Sequence, residues 1–314
     1  MISERAEEAA TEPEHPSPAQ TPQGHTSFKT TTGGLDFNSF PLRLFQKSKK
    51  LGIWDPASIS FEQDVRDLKS LTQQEITLLM HLTSMFVAGE ESVTGDILPL
   101  MRAMAKRGWI EEELYLTSFA WEEAKHTEFF SIFLQQVMQT NQDLSHFHSP
   151  SYRAIFYDAL PKAMEHVLYD HSDAAIAKAS TTYNLIVEGT LAETGYHAYY
   201  TMLERHNIMP GLREGIGHLK RDEARHIAFG VYLLCRLCAQ NTSVFAVIEE
   251  QMNTLIEPAI DFINEIFDDY EQMPFGLKRE DFIEYALSQF RKRIAKIERA
   301  TEQGYENLLL DTID

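Results

Sequence analysis

The chain has 314 residues and a formal net charge of −19, and 43% of its residues are hydrophobic. This composition is sufficient for a large buried core, whereas so acidic a surface repels phosphate backbones, so no nucleic-acid partner is expected. No run of about 18 uncharged apolar residues occurs, and Cys235 and Cys238 are the only cysteines. We therefore predict a cytoplasmic protein without a membrane span or a disulfide framework.

Three regions follow one another along the chain. Residues 1–32 are rich in Glu, Pro, Thr and Ser and are predicted to form a disordered N-terminal tail. Residues 33–300 are predicted to form one domain, and residues 301–314 a C-terminal tail. At the start of the domain, the segment 35–56 carries several aromatic residues, such as Phe37, which we expect to cover one end of the core.

From Ser60 onward the sequence has the pattern of helices. Apolar residues recur at spacings of three and four, and almost nothing indicates a strand. Breakers such as Gly108 and the pair Pro210-Gly211 separate the helical stretches. Several stretches are long but lack sustained heptads, as is typical of a large helical bundle. The predicted helices cover residues 60–69, 72–106, 109–139, 149–169, 172–207, 210–240, 243–271 and 278–300.

A doubled pattern of acids and histidines lies on four of these helices. In the first half, Glu90 on one helix is followed by Glu-Ala-Lys-His at 123–126 on the next helix. In the second half, Glu188 is followed by Glu-Ala-Arg-His at 223–226. Each four-residue segment is preceded by another acid, so the order acid-Glu-Ala-base-His occurs twice.

The residue types in this pattern are those of a dinuclear metal site. A Glu and a His three residues apart project from one helix face and can offer an oxygen and a nitrogen to one metal ion. Four Glu and two His suit two iron or manganese ions, and the four negative charges balance two divalent ions. A lone Glu-x-x-His is weak evidence, because Glu12 and His15 match it in the tail by chance. The doubled pattern predicts an all-α, ferritin-like four-helix bundle core with additional helices and a dinuclear metal site inside the bundle, held by Glu90, Glu123, His126, Glu188, Glu223 and His226.

The sequence around these residues resembles the ligand-binding oxidases, a branch related to the ribonucleotide reductase small subunit. The resemblance rests on AGEESVT at 88–94, EAKH at 123–126, YNLIVEG at 183–189 and DEARH at 222–226. It covers roughly residues 35–300. It implies an oxidase that activates dioxygen at a mixed manganese and iron centre, or at two iron ions, and that works as a homodimer.

The resemblance also implies a ligand, a set of metal positions and a covalent modification. A long-chain fatty acid or similar lipid-like ligand is expected in a hydrophobic channel that ends at the metals. A two-electron C–H oxidation is expected, including an ether cross-link between Val93 and Tyr183. Spacing alone places Val93 on the helix face of Glu90, but it does not place Tyr183 on the stripe of Glu188 in an ideal α-helix. By resemblance, the manganese ligands are Glu90, Glu123 and His126, and the iron ligands are Glu188, Glu223 and His226.

Three further residues are candidates for a supporting role. A metal-bound His normally donates its other ring proton to a carboxylate or carbonyl group. By resemblance, Asp222 is expected to orient His126, with Glu122 as its counterpart in the repeat; each is otherwise a solvated acid. Tyr196, eight residues after Glu188, adds a hydroxyl near the site or serves only in packing.

Two other functions compete with the oxidase. In ribonucleotide reductase small subunits the radical tyrosine usually lies four residues after the first metal-binding His, where this chain has Phe130. Some such subunits carry Phe there and use a manganese and iron pair, so a reductase small subunit is the second hypothesis. Ferritin-like metal storage is the third, although storage chains are usually far shorter. The Cys235 and Cys238 pair lies within a helix and is interpreted as packing.

Overall fold

The computed structural model describes residues 25–303, with side chains up to residue 299. Before Asp36 the described part contains one helical turn, Lys29–Thr32. A compact unit begins at Asp36. Of the predicted tails, residues 1–24 and 304–314 lie outside the described residues, and the last helix continues through residue 303.

Helices α1 to α9 make up most of the compact unit, and no strand occurs in the described part of the chain. Short 3-10 turns connect some of them at Pro56–Ser58, Ser145–Phe147 and Pro274–Gly276. The helices are α1 (Phe40–Leu51), α2 (Glu62–Leu68), α3 (Gln73–Arg107), α4 (Ile110–Phe133, continued by the π-helical Leu134–Met138), α5 (Pro150–Arg153, the π-helical Ala154–Ala159 and Leu160–His166), α6 (Asp173–Ser180, the π-helical Thr181–Ala192 and Glu193–His206), α7 (Pro210–Gln240), α8 (Val244–Asp268) and α9 (Arg279–Gln303).

The start and stop signals in the sequence explain the long helices. Thr72 caps α3 by accepting a hydrogen bond from the backbone of Glu75, whose side chain in turn accepts from the Thr72 backbone. Gly108 ends α3 in the left-handed region, with φ of 67°, which a residue without a side chain adopts at little cost. Pro210 lies in the first turn of α7, where its missing N–H costs nothing.

Four helices form the bundle that contains the predicted ligands. Helix α3 packs along α4, and the π-helical part of α6 packs against α7. Helices α8 and α9 cover the outer side of this π-helical part, while α1 lies against α4 and α7. This arrangement confirms the predicted all-α, ferritin-like bundle with additional helices. No helix in residues 25–303 is long and apolar enough to cross a membrane.

The segment 35–56 differs from the prediction, because it contains helix α1. Local signals for that helix were present: Ser39 precedes it, Pro41 lies in its first turn and Gly52 follows it. Most of its apolar side chains are buried, but Phe37 is 68% exposed and does not cover the core as expected.

The long helices also differ from the prediction, because three of them contain π-helical segments rather than continuous α-helix. The longest, Thr181–Ala192, carries Tyr183 and Glu188. A π-helix bonds residue i to residue i+5, so residues five apart lie near one another along it. A spacing of five, which does not place Tyr183 and Glu188 on one stripe of an α-helix, therefore brings them near one another in this π-helical segment.

Candidate metal centre

The structure brings all six predicted ligands together inside the bundle. Helix α3 supplies one carboxylate, α6 supplies another, and α4 and α7 each supply a Glu and a His one helical turn apart. All six side chains are buried, with exposed fractions of 5% or less. Their donor atoms form two groups, in each of which all atoms lie within 4.8 Å of one another: Glu90, Glu123, His126 and Glu223 in the first, and Glu123, Glu188, Glu223 and His226 in the second.

Glu123 and Glu223 are members of both groups, so these two carboxylates can be shared between two ions. Glu90 and Glu188 are the lone acids of the repeat, because each lies on a helix that supplies no histidine to the groups. In the structure the lone acids belong to one group each. Each half therefore offers one unshared carboxylate, one imidazole and a carboxylate that both ions can use.

The donor atoms fit a pair of metal ions rather than an ordinary hydrogen-bond network. His126 Nδ1 lies 3.3 Å from Glu90 Oε2 and 3.4 Å from Glu123 Oε2, and His226 Nδ1 lies 3.1 Å from Glu123 Oε1. Both Nδ1 atoms are buried and have no hydrogen-bond partner among the described residues, as is also true of an oxygen of Glu188 and one of Glu223. Buried polar atoms without partners are costly, and divalent ions between them would satisfy them.

The electrostatics of the cluster favour cations. Burial raises the pKa of Glu90 well above the usual range although His126 opposes it, and burial together with the negative charge of Glu223 does the same for Glu188. Although burial alone would lower it, the nearby carboxylates raise the pKa of His126 and His226 well above 6.5. Glu123 is held ionised, because the two imidazoles beside it lower its pKa despite its burial. Without metal this site must therefore hold protons, which two divalent ions would replace.

The two predicted supporting acids bind the histidines of the opposite half. His126 Nε2 lies 3.3 Å from Asp222 Oδ2, and His226 Nε2 lies 2.9 Å from Glu122 Oε2. All four groups are fully buried. Each acid can accept the outer ring proton, which leaves Nδ1 free to face the ion. Neither acid is a solvated surface group.

Two basic residues of the repeat connect these acids, and the sequence had assigned neither a role. Arg225 donates to Glu122 Oε1 at 2.6 Å and to Asp222 Oδ1 at 2.5 Å. Lys125 lies 3.4 Å from Asp222 Oδ2 and also donates to the Gly52 carbonyl. Their positions in the repeat were a usable signal, because the base recurs beside the acid in both halves.

Trp54 also contacts this network, although nothing in its local sequence pointed to it. Its indole N–H donates to Asp222 Oδ2 at 2.8 Å, across 168 residues of sequence. Its ring stacks on His218 at 4.9 Å and lies 6.2 Å from His126, while Lys125 lies over it. Trp54 thus binds one oxygen of Asp222 and Arg225 the other.

The two residues of the expected cross-link lie beside the ligands. The Tyr183 hydroxyl donates to Glu123 Oε1 at 3.3 Å, and its ring packs edge-on against Phe119. Burial and then the negative charge of Glu123 raise the pKa of Tyr183 well above 10. Val93 lies one turn after Glu90 and is 3% exposed.

The π-helical segment carries a further site residue that the sequence did not reveal. Asn184 donates to Glu188 Oε2 at 2.8 Å and accepts from the Ser180 hydroxyl at 2.9 Å. Gly230 of α7 faces it so closely that a Cβ there would overlap the Asn184 side chain. Asn184 therefore orients Glu188, and the missing side chain at residue 230 makes room for it.

An apolar cavity reaches the candidate ligands. Its polar side chains are concentrated at the metal end, in Glu90, Glu123, Glu188 and Glu223. The other polar lining groups are already engaged, since Thr194 donates to a backbone carbonyl, as does Tyr152. The wall otherwise consists of aliphatic, aromatic and sulfur-containing side chains and glycine, among them Leu82, Met85, Phe86, Val93, Leu191 and Ile263.

Tyr196, Phe130 and the two cysteines are the remaining candidates, and all four side chains are buried. Tyr196 stacks on Phe86 at 5.1 Å, and its hydroxyl has no hydrogen-bond partner among the described residues. Burial and the negative charge of Glu223 raise its pKa well above 10. Phe130, which stands where a radical tyrosine would, also stacks on Phe86. The two cysteines are buried and unbonded, in agreement with a packing role.

Known proteins with this fold carry the same kind of centre. The family of ribonucleotide reductase small chains matches residues 44–298. An R2-like ligand-binding oxidase with an aerobically reconstituted Mn/Fe cofactor is 36% identical, with a TM-score of 0.84 over 87% of this chain and 98% of that chain. A variant of R2-like ligand-binding oxidase with an anaerobically reconstituted Mn/Fe cofactor is 37% identical, with a TM-score of 0.82 and the same coverage. The chain belongs to the ribonucleotide reductase small-chain family, in its branch of R2-like ligand-binding oxidases, which are dinuclear metal oxidoreductases.

Proposed function

We propose that this protein holds one manganese and one iron ion and uses dioxygen to oxidise a C–H bond of a long-chain fatty acid or similar lipid. One observation carries the proposal: the six side chains that could hold two ions cluster in the bundle, and their four carboxylates line an apolar cavity. The Mn/Fe cofactors of the similar solved structures support the choice of metals. In this proposal Glu90, Glu123 and His126 hold manganese, and Glu188, Glu223 and His226 hold iron.

When bound, the ions supply the redox chemistry that reduces dioxygen. The side chains around them supply geometry and proton control. Asp222 and Glu122 hold the outer ring protons of the two histidines, which fixes both rings. The apolar wall excludes water and binds an alkyl chain, while an acid group of the ligand lies at the metal end, where the cations compensate its charge.

We also propose the ether cross-link between Tyr183 and Val93. A bond forms between the phenolic oxygen and a side-chain carbon of Val93, while one O–H and one C–H bond break. Two electrons and two protons pass to dioxygen, so the step balances without another oxidant. Support comes from the hydrogen bond of Tyr183 to Glu123 and from the place of Val93 one turn after Glu90.

The intact mass of the protein tests this oxidation directly. Metal-free protein is loaded with manganese and iron without oxygen and is then exposed to air. The wild-type chain should lose two hydrogen atoms, and peptide mapping should join the segments that contain Val93 and Tyr183. Tyr183→Phe should keep its mass. Tyr196→Phe is the matched control, because this phenol is also buried near the ligands, and it should behave like the wild type. Equal behaviour of Tyr183→Phe and the wild type would show the assignment to be wrong.

The ligand is tested by extracting purified protein and identifying any released lipid by mass spectrometry. A fatty acid at near-stoichiometric amount is expected, because the cavity offers an apolar wall and one charged end. Release of no lipid, together with no binding of added fatty acid, would contradict this part of the proposal. The homodimer and the cytoplasmic location remain predictions, which mass measurement in solution and cell fractionation can test.

A further inference from the structure

The cavity has a defined far end, opposite the metal ligands. Its wall along α3 runs from Glu90 through Phe86 and Leu82 to Leu78. Twelve residues separate Leu78 from Glu90, which corresponds to about 18 Å along an α-helix. Leu78 is fully buried.

Two other elements close the same end. Leu277 follows the 3-10 turn Pro274–Gly276, which packs against α3. Phe282, in the first turns of α9, packs its ring against His197 of α6 and Phe267 of α8, at 5.6 and 5.7 Å. Both side chains line the cavity and are less than 9% exposed. Leu78, Leu277 and Phe282 together are called the end wall below.

The end wall carries no group that could bind a polar ligand terminus. Two of its side chains are aliphatic and one is aromatic, and the cavity residues beside it, such as Met273 and Ile266, are also apolar. A hydroxyl or second carboxylate at this end of a ligand would lose its water without gaining a hydrogen bond, which is costly. The ligand must therefore end in a plain alkyl terminus.

We propose that the end wall sets the length of the alkyl chain that the enzyme accepts, with Phe282 as its main determinant. This inference rests on the proposed fatty-acid ligand. A C–C bond of about 1.5 Å at a near-tetrahedral angle advances about 1.25 Å along an extended chain. The available 18 Å or so therefore accommodates about 14 carbons between the ligands and the end wall.

The test measures the affinity of metal-loaded, delipidated protein for saturated straight-chain fatty acids of increasing length. Each added methylene should tighten binding about fourfold while it enters the apolar wall. The gain in affinity should stop near 14 carbons, and this chain length is called the break. A terminal hydroxyl on the longest accepted acid should lower the affinity again. Phe282→Ala should move this break to acids about two to four carbons longer, and Phe282→Trp should move it to shorter ones.

Phe40→Ala is the matched control, because Phe40 is equally buried but packs on Tyr232 away from the cavity; its break should stay at the wild-type length. An unchanged break in Phe282→Ala, with normal binding of shorter acids, would overturn the end-wall proposal and leave the proposed function intact. If Phe282→Ala does not fold, Phe282→Leu makes the same comparison with a smaller expected shift. Absence of fatty-acid binding at every length in the wild type would instead overturn the proposed function.

Discussion

The two halves of the repeat hold the same ligands but differ in what lies behind them. In the first half, the residue four positions before the lone ligand Glu is Phe86, and it stacks at 5.2 Å on Phe130, four positions after the ligand His. In the second half the equivalent positions are Asn184 and Gly230, and they are in close contact. An aromatic pair in one half thus corresponds to an amide and a glycine in the other.

This difference gives the two lone carboxylates different surroundings. Glu188 accepts a hydrogen bond from Asn184 at 2.8 Å within the π-helical segment. Glu90 lies in regular α-helix, and its Oε2 lies 3.3 Å from Nδ1 of His126. Because the ligand types are the same in both halves, any preference for one metal in one half must come from such neighbours rather than from the ligands themselves.

The largest expected effect is on metal content, which should differ between variants of the shared carboxylates and variants of the unshared ones. Glu223→Ala should remove both ions, because Glu223 belongs to both donor groups, whereas Glu90→Ala should remove only the first-half ion. Metal content after anaerobic loading and desalting measures this, with two ions per chain in the wild type. Glu91→Ala, an exposed neighbour of Glu90, is the control and should keep both ions. Loss of both ions from Glu90→Ala would show that the two halves do not bind separately.

The next effect tests the crosswise pairing of acids and histidines. Asp222→Asn should lower the affinity for the ion beside His126 by about 10- to 100-fold. Glu122→Gln should lower the affinity for the ion beside His226 by a similar factor. In each case the substitution removes the negative charge that holds the outer ring proton of the histidine. Chelator competition with manganese and with iron measures each affinity, in Glu188→Ala or Glu90→Ala backgrounds that retain one site. If each substitution lowered the affinity only for the ion bound by the histidine of its own half, the crosswise arrangement would be contradicted.

The sequence was sufficient to predict the cluster of candidate ligands, because their spacing is a local property of helices. A Glu and a His three residues apart share a face in any α-helix, and the repetition of that pattern distinguishes it from chance. The crosswise partners Asp222 and Glu122 were also found, through resemblance and through their place in the repeat. The helix boundaries followed from residues such as Gly108 and Pro210, whose backbone preferences do not depend on the rest of the fold.

The surroundings of the ligands could not be found in this way, because they depend on contacts distant in sequence. Trp54 and Asp222 are 168 residues apart, and no local pattern indicates that they meet. The π-helical segment 181–192 has an ordinary helical composition, and its close packing against Gly230 becomes visible only when α6 and α7 are placed side by side. Asn184 therefore looked like any polar residue on a helix.

The contact between Asn184 and Gly230 can be broken by a single methyl group. Gly230→Ala should lower the free energy of unfolding by about 1–3 kcal/mol, since the new Cβ overlaps a fully buried side chain. The double variant with Asn184→Ala should recover part of the stability lost in Gly230→Ala. The changes that the two substitutions cause in the free energy of unfolding should therefore not be additive. Urea unfolding of the metal-free protein measures both. Gly217→Ala on the same helix is the control, where the new group meets only the Tyr200 hydroxyl and no loss is expected.

Additive losses from Gly230→Ala and Asn184→Ala would mean that the two residues do not restrict each other. Helix α6 would then owe its π-helical form to something other than this contact. The same variants, loaded with metal, should lose affinity only for the second-half ion, because Asn184 touches Glu188 and none of the first-half ligands.

A smaller effect, on folding stability at acid pH, is expected from a histidine that α3 carries and α6 lacks. Nine residues before Glu90, helix α3 carries the buried His81, whereas the equivalent position in α6 is Ala179. Burial lowers the pKa of His81 to about 4; Asp269, whose carboxylate lies 3.9 Å away, opposes this shift, and His146 and His148 add to it. The ring stacks on Phe147 at 4.8 Å. The first half therefore contains a buried neutral imidazole that the second half lacks.

Since the unfolded chain takes up a proton near pH 6.5 and the folded His81 does so only near pH 4, stability must fall as the pH drops through this interval. The loss amounts to about 1.4 kcal/mol for each pH unit below about 6.5, which gives about 2 kcal/mol between pH 7 and pH 5. Urea unfolding of wild type and His81→Phe at both pH values measures it, and the ligand histidines, common to both proteins, cancel in the comparison. His81→Phe, which can keep the stacking on Phe147, should show the smaller acid loss, whereas the exposed His166→Phe should behave like the wild type. An equal acid loss in all three would place the acid sensitivity of the fold outside α3.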